Sequence, residues 1–285
     1  MNNLSSLKYF QQEREAKLRE PNGWLSVIGL YWLSPGDNSV GSKNDCTIQI
    51  SSLVSFKFTF DLRADQSVYV SNESDGATLN GQAFYKEQMH CDESASPSLL
   101  CIDSVSIELL RRNDLFAIRV KDKNNPKIST FPKINWYPEN PSMKIPAVFI
   151  QYEKPQLIPV NLALGGKYHL KSPGYITFEF NKINHRLETI RQGQSNQLFL
   201  IFKDKTNGHS TYSGGRFLFI PFEFTKHRTS HLVIDFNRAI SPPCAFTEAA
   251  TCPLAPRENY LPIEIPAGEK NPPTHQLSIN TAIEN

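Results

Sequence analysis

The stretch SFKFTFDLRADQSVYVSNESDGATLNGQAF, Ser55 to Phe84, decides the fold class. Phe56, Phe58 and Phe60 alternate with Lys57 and Thr59, so an extended chain here turns aromatics to one face and polar groups to the other. SVYV (Ser67 to Val70) repeats that period of two. Asn80-Gly81 is a strong hairpin dipeptide, because both residue types tolerate the positive φ of a tight turn. The stretch reads as β-sheet with one buried face.

The same pattern extends outward. Pro35-Gly36-Asp37-Asn38 is a turn signal, TIQI (Thr47 to Ile50) is a short alternating run, and SIELLRR and LFAIRVKD carry strand-like composition to Asp122. GWLSVIGLYWL, Gly23 to Leu33, is apolar but short, which suits a buried hairpin or a short helix under a sheet. Before it, Leu4, Leu7, Phe10, Arg14 and Leu18 fall near helical spacing, and Pro21-Asn22-Gly23 stops the run. Residues 1–22 are therefore predicted as a helix and 23–122 as a β-sandwich-like lobe.

KNNPKISTFPKINWYPENPSMKIP, Lys123 to Pro146, holds five prolines. Phe131, Trp136 and Tyr137 within it are large aromatics that pack onto something, so it is read as an ordered crossover. Beyond it AVFIQY, LIPVNLA, YITFEF, QLFLIFKD, GRFLFIPFEF and HLVIDF are separate strand candidates between polar turns. Residues 147–285 are thus a second β-rich lobe, sandwich or barrel-like, ending in a long Pro-rich coil. The fold class is mostly β, with one N-terminal helix and two lobes. Trp24, Trp32 and Trp136 are read as core or lobe-interface anchors.

Composition narrows the function. The chain has 285 residues, 39 % hydrophobic and 20 % charged, with a formal net charge of +2. That balance is a folded one, and no basic run exceeds Arg111-Arg112, so nucleic acid is not an expected partner. No stretch nears the roughly 20 apolar residues of a membrane span, and the start lacks the apolar centre of a signal peptide. The expected location is the cytoplasm, where thiols stay reduced. An odd number of cysteines, five, does not read as a disulfide framework.

Some motifs look familiar. GWLSVIGLYWLSPGDNSVGS, FPKINWYP, GGRFLFIPF and LVIDFNRAISPPCAFTEAATCPLAPRENYLPIEIPAGEK resemble the domain of unknown function 1684 family, a group of bacterial proteins. The family name carries no activity, so the resemblance implies only that the C-terminal motif is a hallmark of the group. Residues of about 34–122, through Val40-Gly41-Ser42, Asp45-Cys46-Thr47-Ile48 and Leu79-Asn80-Gly81, look like a forkhead-associated domain at the level of fold. That family reads phosphothreonine. Here Ser42 stands where its phosphate-binding arginine would be, and residues 51–55 hold no serine–histidine pair, so the activity is not carried over.

Chemistry concentrates in the C-terminal motif. Cys244 and Cys252 are spaced C-x7-C, with no histidine between them and none after until His275, which does not suit a metal. Core packing is the leading reading of the pair. A disulfide, or an activated Cys244 thiolate beside a cation, stays open. Asp235-Phe236-Asn237-Arg238 is read as closing a strand, with Asp235 and Asn237 on one face. Tyr212 to Arg216 opens the strand before it. If the two strands are neighbours, Arg216, Asp235, Asn237 and Arg238 share one end of a sheet, joined from the final coil by Glu258, Asn259 and Glu264. The catalytic candidates are Asp235, Glu258 and Cys244; the ligand-binding candidates are Tyr212, Arg216, Asn237, Arg238 and Asn259. A small polar or anionic ligand would meet them, with a raised-pKa carboxylate as base. The competing reading, a purely structural polar network, has the larger share. No nucleotide loop, nucleophile elbow or H-E-x-x-H motif occurs, and the cofactor is unknown. The four histidines His185, His209, His227 and His231 are expected on solvated turns. The other function class is a protein-interaction module, whose sandwich lobe docks a protein partner while the C-terminal motif is only a clasp.

Overall fold

The computed structural model describes residues 6–50, 55–225 and 227–272. Leu4, residues 51–54 and His275, used above, lie outside them. The chain forms two compact units, Ala16–Phe131 and a discontinuous one made of Met1–Glu15 with Pro132–Asn285. The division falls inside α1, the helix Ser6–Arg19.

Among the described residues, eleven strands build the Ala16–Phe131 unit: β1 (Val27–Trp32), β2 (Gly36–Gly41), β3 (Ile48–Gln49), β4 (Lys57–Leu62), β5 (Val68–Asn72), β6 (Thr78–Leu79), β7 (Gln82–Ala83), β8 (Lys86–Met89), β9 (Leu99–Ile102), β10 (Val105–Arg112) and β11 (Leu115–Asp122). They make one sheet of order β1-β11-β10-β9-β6-β7 and another of order β3-β2-β4-β5-β8. Phe56, Phe58, Phe60, Val68 and Val70 from one sheet share a core with Leu100, Ile107, Leu109, Ile118 and Val120 from the other. The alternation that announced the strands is thus the alternation that fills a sandwich. Asn80 (φ 52°) and Gly81 (φ 80°) make the hairpin turn between β6 and β7.

Gly23–Leu33 is not a hairpin, and only its first turn is helical, a short 3-10 one. A 3-10 turn at Trp24–Ser26 runs into β1, which pairs antiparallel with the distant β11. An apolar run cannot name a partner ninety residues away, which is why composition misread it. Trp32 is 42 % exposed and is not a core anchor.

In the discontinuous unit the strands are β12 (Lys144–Asn161), β13 (Lys167–Phe180), β14 (Ile183–Glu188), β15 (Gln197–Phe202), β16 (Arg216–Pro221) and β17 (Thr229–Asp235). A sheet of order β14-β13-β12-β17 faces the pair β15-β16. Phe149, Ile176, Phe178 and Leu187 meet Leu198, Leu200, Phe202 and Leu218, and Leu261, Ile265 and Ala267 of the final coil join the same core. AVFIQY and LIPVNLA are one strand rather than two. The register of β12 against β13 slips between Gln151 and Gln156, so the polar residues read as a turn form a bulge. The crossover is ordered: α2 (Lys127–Thr130) is followed by a 3-10 turn at Pro141–Met143, whose Asn140 cap accepts from Ser142 N–H at 3.0 Å. Trp136 sets its ring 6.1 Å from Phe10 of α1, edge to face.

Candidate functional site

The Pro-rich segment explains the geometry around the two cysteines. Pro242 and Pro243 have no N–H, and Pro243–Ala245 is a 3-10 turn, so Cys244 brings the first free N–H of that turn. It donates to the Cys252 sulfur at 3.2 Å. Cys252 is buried, and its own backbone is tied to the β12–β13 tip: its carbonyl accepts from Ala163 N–H, and Leu254 N–H donates to Asn161 O, both at 2.8 Å. Cys244 is half-buried. The Tyr212 hydroxyl donates to the Cys244 carbonyl at 3.1 Å.

The two cysteines are not joined in a disulfide, and their thiols lie within hydrogen-bonding reach of each other. The Cys252 hydrogen bond draws the Cys244 pKa below its ordinary value; burial opposes this, and the Tyr212 hydroxyl adds to it. Burial and the neighbouring Cys244 push the Tyr212 phenol up. Burial has the same upward effect at Cys46 and Cys101, where it prevails and both are raised.

The other sequence candidates divide into separate groups. Arg216 is fully buried, its Nη2 donating to Asp204 Oδ2 at 2.6 Å and to Ile265 O at 2.9 Å, while Nη1 donates to Ala267 O. Asp204 in turn accepts from Thr206 N–H and hydroxyl and from Ile265 N–H. Asn259, also fully buried, accepts from Glu188 N–H at 2.6 Å and donates to Glu188 O and Ile201 O. Asn237 holds the Asn140 backbone by the same two-way bond, 2.8 Å and 3.0 Å.

Asp235 and Asn237 do not lie on one strand face, because β17 ends at Asp235 and residues 236–238 turn as a 3-10 helix capped by the Asp235 carboxylate. Arg238 pairs with Asp235 at 3.5 Å, donates to the Ser6 hydroxyl at 2.6 Å and covers the Phe10 ring. Glu258 is exposed. Arg216 therefore belongs to a network around Asp204, and Asp235, Asn237 and Arg238 to another around Asn140 and Ser6.

Sequence reasoning missed two polar groups. In the first, Glu188, 3 % exposed, accepts from Tyr152 hydroxyl at 2.7 Å, from Ser172 hydroxyl at 3.1 Å and from Arg186, whose guanidinium lies 3.7 Å over the Tyr175 ring. Burial and then Glu188 push the Tyr152 phenol up to about 12. Tyr152 lies in the bulge of β12, which reads from sequence as a break between two strands, so nothing in the sequence pointed to this group. In the second, Arg14 donates to the buried Glu269 at 2.8 Å and to Ser241 O, while Ser241 N–H donates back to Glu269 at 2.6 Å. His185, expected in solvent, is buried against Phe178, and its Nε2 has no partner.

An open groove of about 560 Å³ lies on the outer face of the four-stranded sheet, lined by Pro146, Val148, Thr177, Glu179, Asn184, His231 and Val233 among others. None of the sequence candidates lines it. Another, of about 500 Å³, includes Lys205 and Glu264. Among the described residues no group of three or more His, Cys, Asp or Glu could hold a metal ion, and no helix is long and apolar enough to cross a membrane. In the other unit the Ser42 hydroxyl accepts from Phe56 N–H at 3.1 Å, so it is engaged by the backbone.

Residues 129–270 match the model of a family described as Protein of unknown function (DUF1684). A solution NMR structure of an uncharacterized protein of Haloarcula marismortui is 26 % identical, with a TM-score of 0.43, over 50 % of this chain and 78 % of that one. A comparison with curated proteins finds no match.

Proposed function

We propose, for a chain that belongs through residues 129–270 to the Protein of unknown function (DUF1684) family, a thiol-dependent site for a small polar molecule, with Cys244 as its nucleophile. The observation that carries this reading is the close placement of Cys244, Cys252 and Tyr212. A thiolate needs donors to hold its charge, and here a second thiol and a phenol supply them. Arg216, the principal cation of the sequence reading, has its bonds inside the core, so a net anionic ligand is not required by the site. Tyr212 stays protonated in this role and acts as a donor, not a base.

The test is alkylation of the native, reduced protein with iodoacetamide from pH 5 to pH 9, followed residue by residue by peptide mass spectrometry. Cys244 is expected to react first, with a midpoint below the ordinary cysteine pKa of about 8.5. Silence of both Cys244 and Cys252 until the protein unfolds would return the pair to core packing and end the proposal.

A further inference from the structure

We propose that Cys244 and Cys252 form a two-thiol redox couple that reduces a small hydroperoxide, with Cys244 as the attacked thiol and Cys252 as the resolving one. This rests on the thiol reading above and assigns Cys252 a role which that reading leaves open.

Three observations favour this chemistry over acyl or alkyl transfer. Cys244 has a thiol neighbour, and a second thiol has a use in two-electron oxidation that it lacks in group transfer. The pair is unequal, with Cys244 half-buried and Cys252 buried, so an oxidant from solvent meets Cys244 first. The pair is held in place, because Cys244 lies in the Pro243–Ala245 3-10 turn and the Tyr212 hydroxyl bonds its carbonyl, which keeps the two thiols adjacent as a disulfide-forming pair needs.

The steps balance as follows. The Cys244 thiolate attacks the terminal oxygen of R–O–O–H; an S–O bond forms, the O–O bond breaks, and RO⁻ leaves and takes up a proton as ROH. Sulfur is oxidised by two electrons and the peroxide is reduced by two. Cys252, as thiolate, then attacks the sulfur of Cys244–S–OH; the S–S bond forms, and hydroxide leaves and is protonated to water. The Cys244 N–H, already 3.2 Å from the Cys252 sulfur, is placed to hold the charge on Cys252 as it loses its proton. A dithiol reductant returns both thiols by exchange and becomes a disulfide itself.

The experiment treats the reduced full chain with stoichiometric hydrogen peroxide and maps all five cysteines by mass spectrometry. The expected product is a peptide joining Cys244 to Cys252 with loss of two hydrogens, formed about tenfold faster than any change at Cys46, Cys91 or Cys101. Cys252→Ser is expected to leave a sulfenic acid at Cys244 that a dimedone probe captures, and Cys244→Ser to abolish both products. If Cys252→Ser does not fold, the cross-linked peptide of the unmodified chain still decides. Cys244 that alkylates readily but oxidises to sulfinic acid with no cross-link overturns the couple and spares the thiol reading. Cys244 inert to both iodoacetamide and peroxide overturns both.

Discussion

Asn38, Asn237 and Asn259 each use the side-chain amide as a detached peptide group, accepting from one backbone N–H and donating to carbonyls of the same or nearby segments. A carboxamide carries one acceptor and two donors in the geometry that a neighbouring strand would offer, so it can complete a ladder where chain runs out. Replacing Asn259 by Ala strands Glu188 N–H, Glu188 O and Ile201 O in the core. At about 1–3 kcal/mol for each buried group left unpaired, partly relieved by relaxation, denaturant melts of Asn259→Ala should show a loss of about 2–4 kcal/mol. A loss under about 0.5 kcal/mol would mean that water or chain movement replaces the amide. Arg216 and Asp204 make the same point with charge. Arg216→Met leaves a buried carboxylate and is expected to cost about 3–5 kcal/mol; adding Asp204→Leu removes that charge but strands the Thr206 and Ile265 N–H groups, so only part of the loss is recovered. Arg216 reads from sequence as a ligand-binding candidate, and Asp204, the partner it bonds, was not legible there.

At the scale of elements, the β12–β13 hairpin is the longest among the described residues, and its bulge sets Tyr152 against Glu188. The folded protein holds the Tyr152 proton up to about 12, whereas in the unfolded chain it leaves near the ordinary 10.0. The unfolded state therefore gains from ionisation first. Stability falls as pH rises from 10 towards 12 and flattens above, and that part of the slope is expected to vanish in Tyr152→Phe. Urea midpoints measured for both proteins across this range test the sign. Among the turns, Gly268 sits at φ 80°, and a Cβ there would meet Ala239 O at 2.4 Å. Its carbonyl accepts from Tyr137 N–H. Gly268→Ala is expected to lower the melting temperature through both strain and close approach, while Gly193→Ala, with open space around it, shows only the strain. Turn dipeptides such as Asn80-Gly81 were legible because their chemistry is local; Gly268 was not, because the carbonyl it avoids lies in another segment.

At the scale of the whole molecule, two cores and two units predict two unfolding transitions by calorimetry rather than one. One unit is discontinuous, with Arg14 of the first segment closing the charge of the fully buried Glu269 in the last. Arg14→Ala should therefore lower only the transition of the unit containing Pro132–Asn285, by the equivalent of about 3–5 kcal/mol, and leave the Ala16–Phe131 transition in place. A shift of both transitions together would contradict that separation.

What the sequence determined by itself was local. Period-two alternation, turn dipeptides and proline placement depend on neighbours in the chain, and they specified a mostly β protein with one clear N-terminal helix and a Pro-rich C-terminal coil. What only the tertiary structure decided was pairing across distance: β1 with β11, Arg14 with Glu269, Asn259 with Glu188, and the sulfur of Cys252 with the N–H of Cys244. The physical reason is that a polar side chain declares its donors and acceptors in the sequence, whereas the partner that satisfies them is chosen when the hydrophobic cores close and set which segments meet.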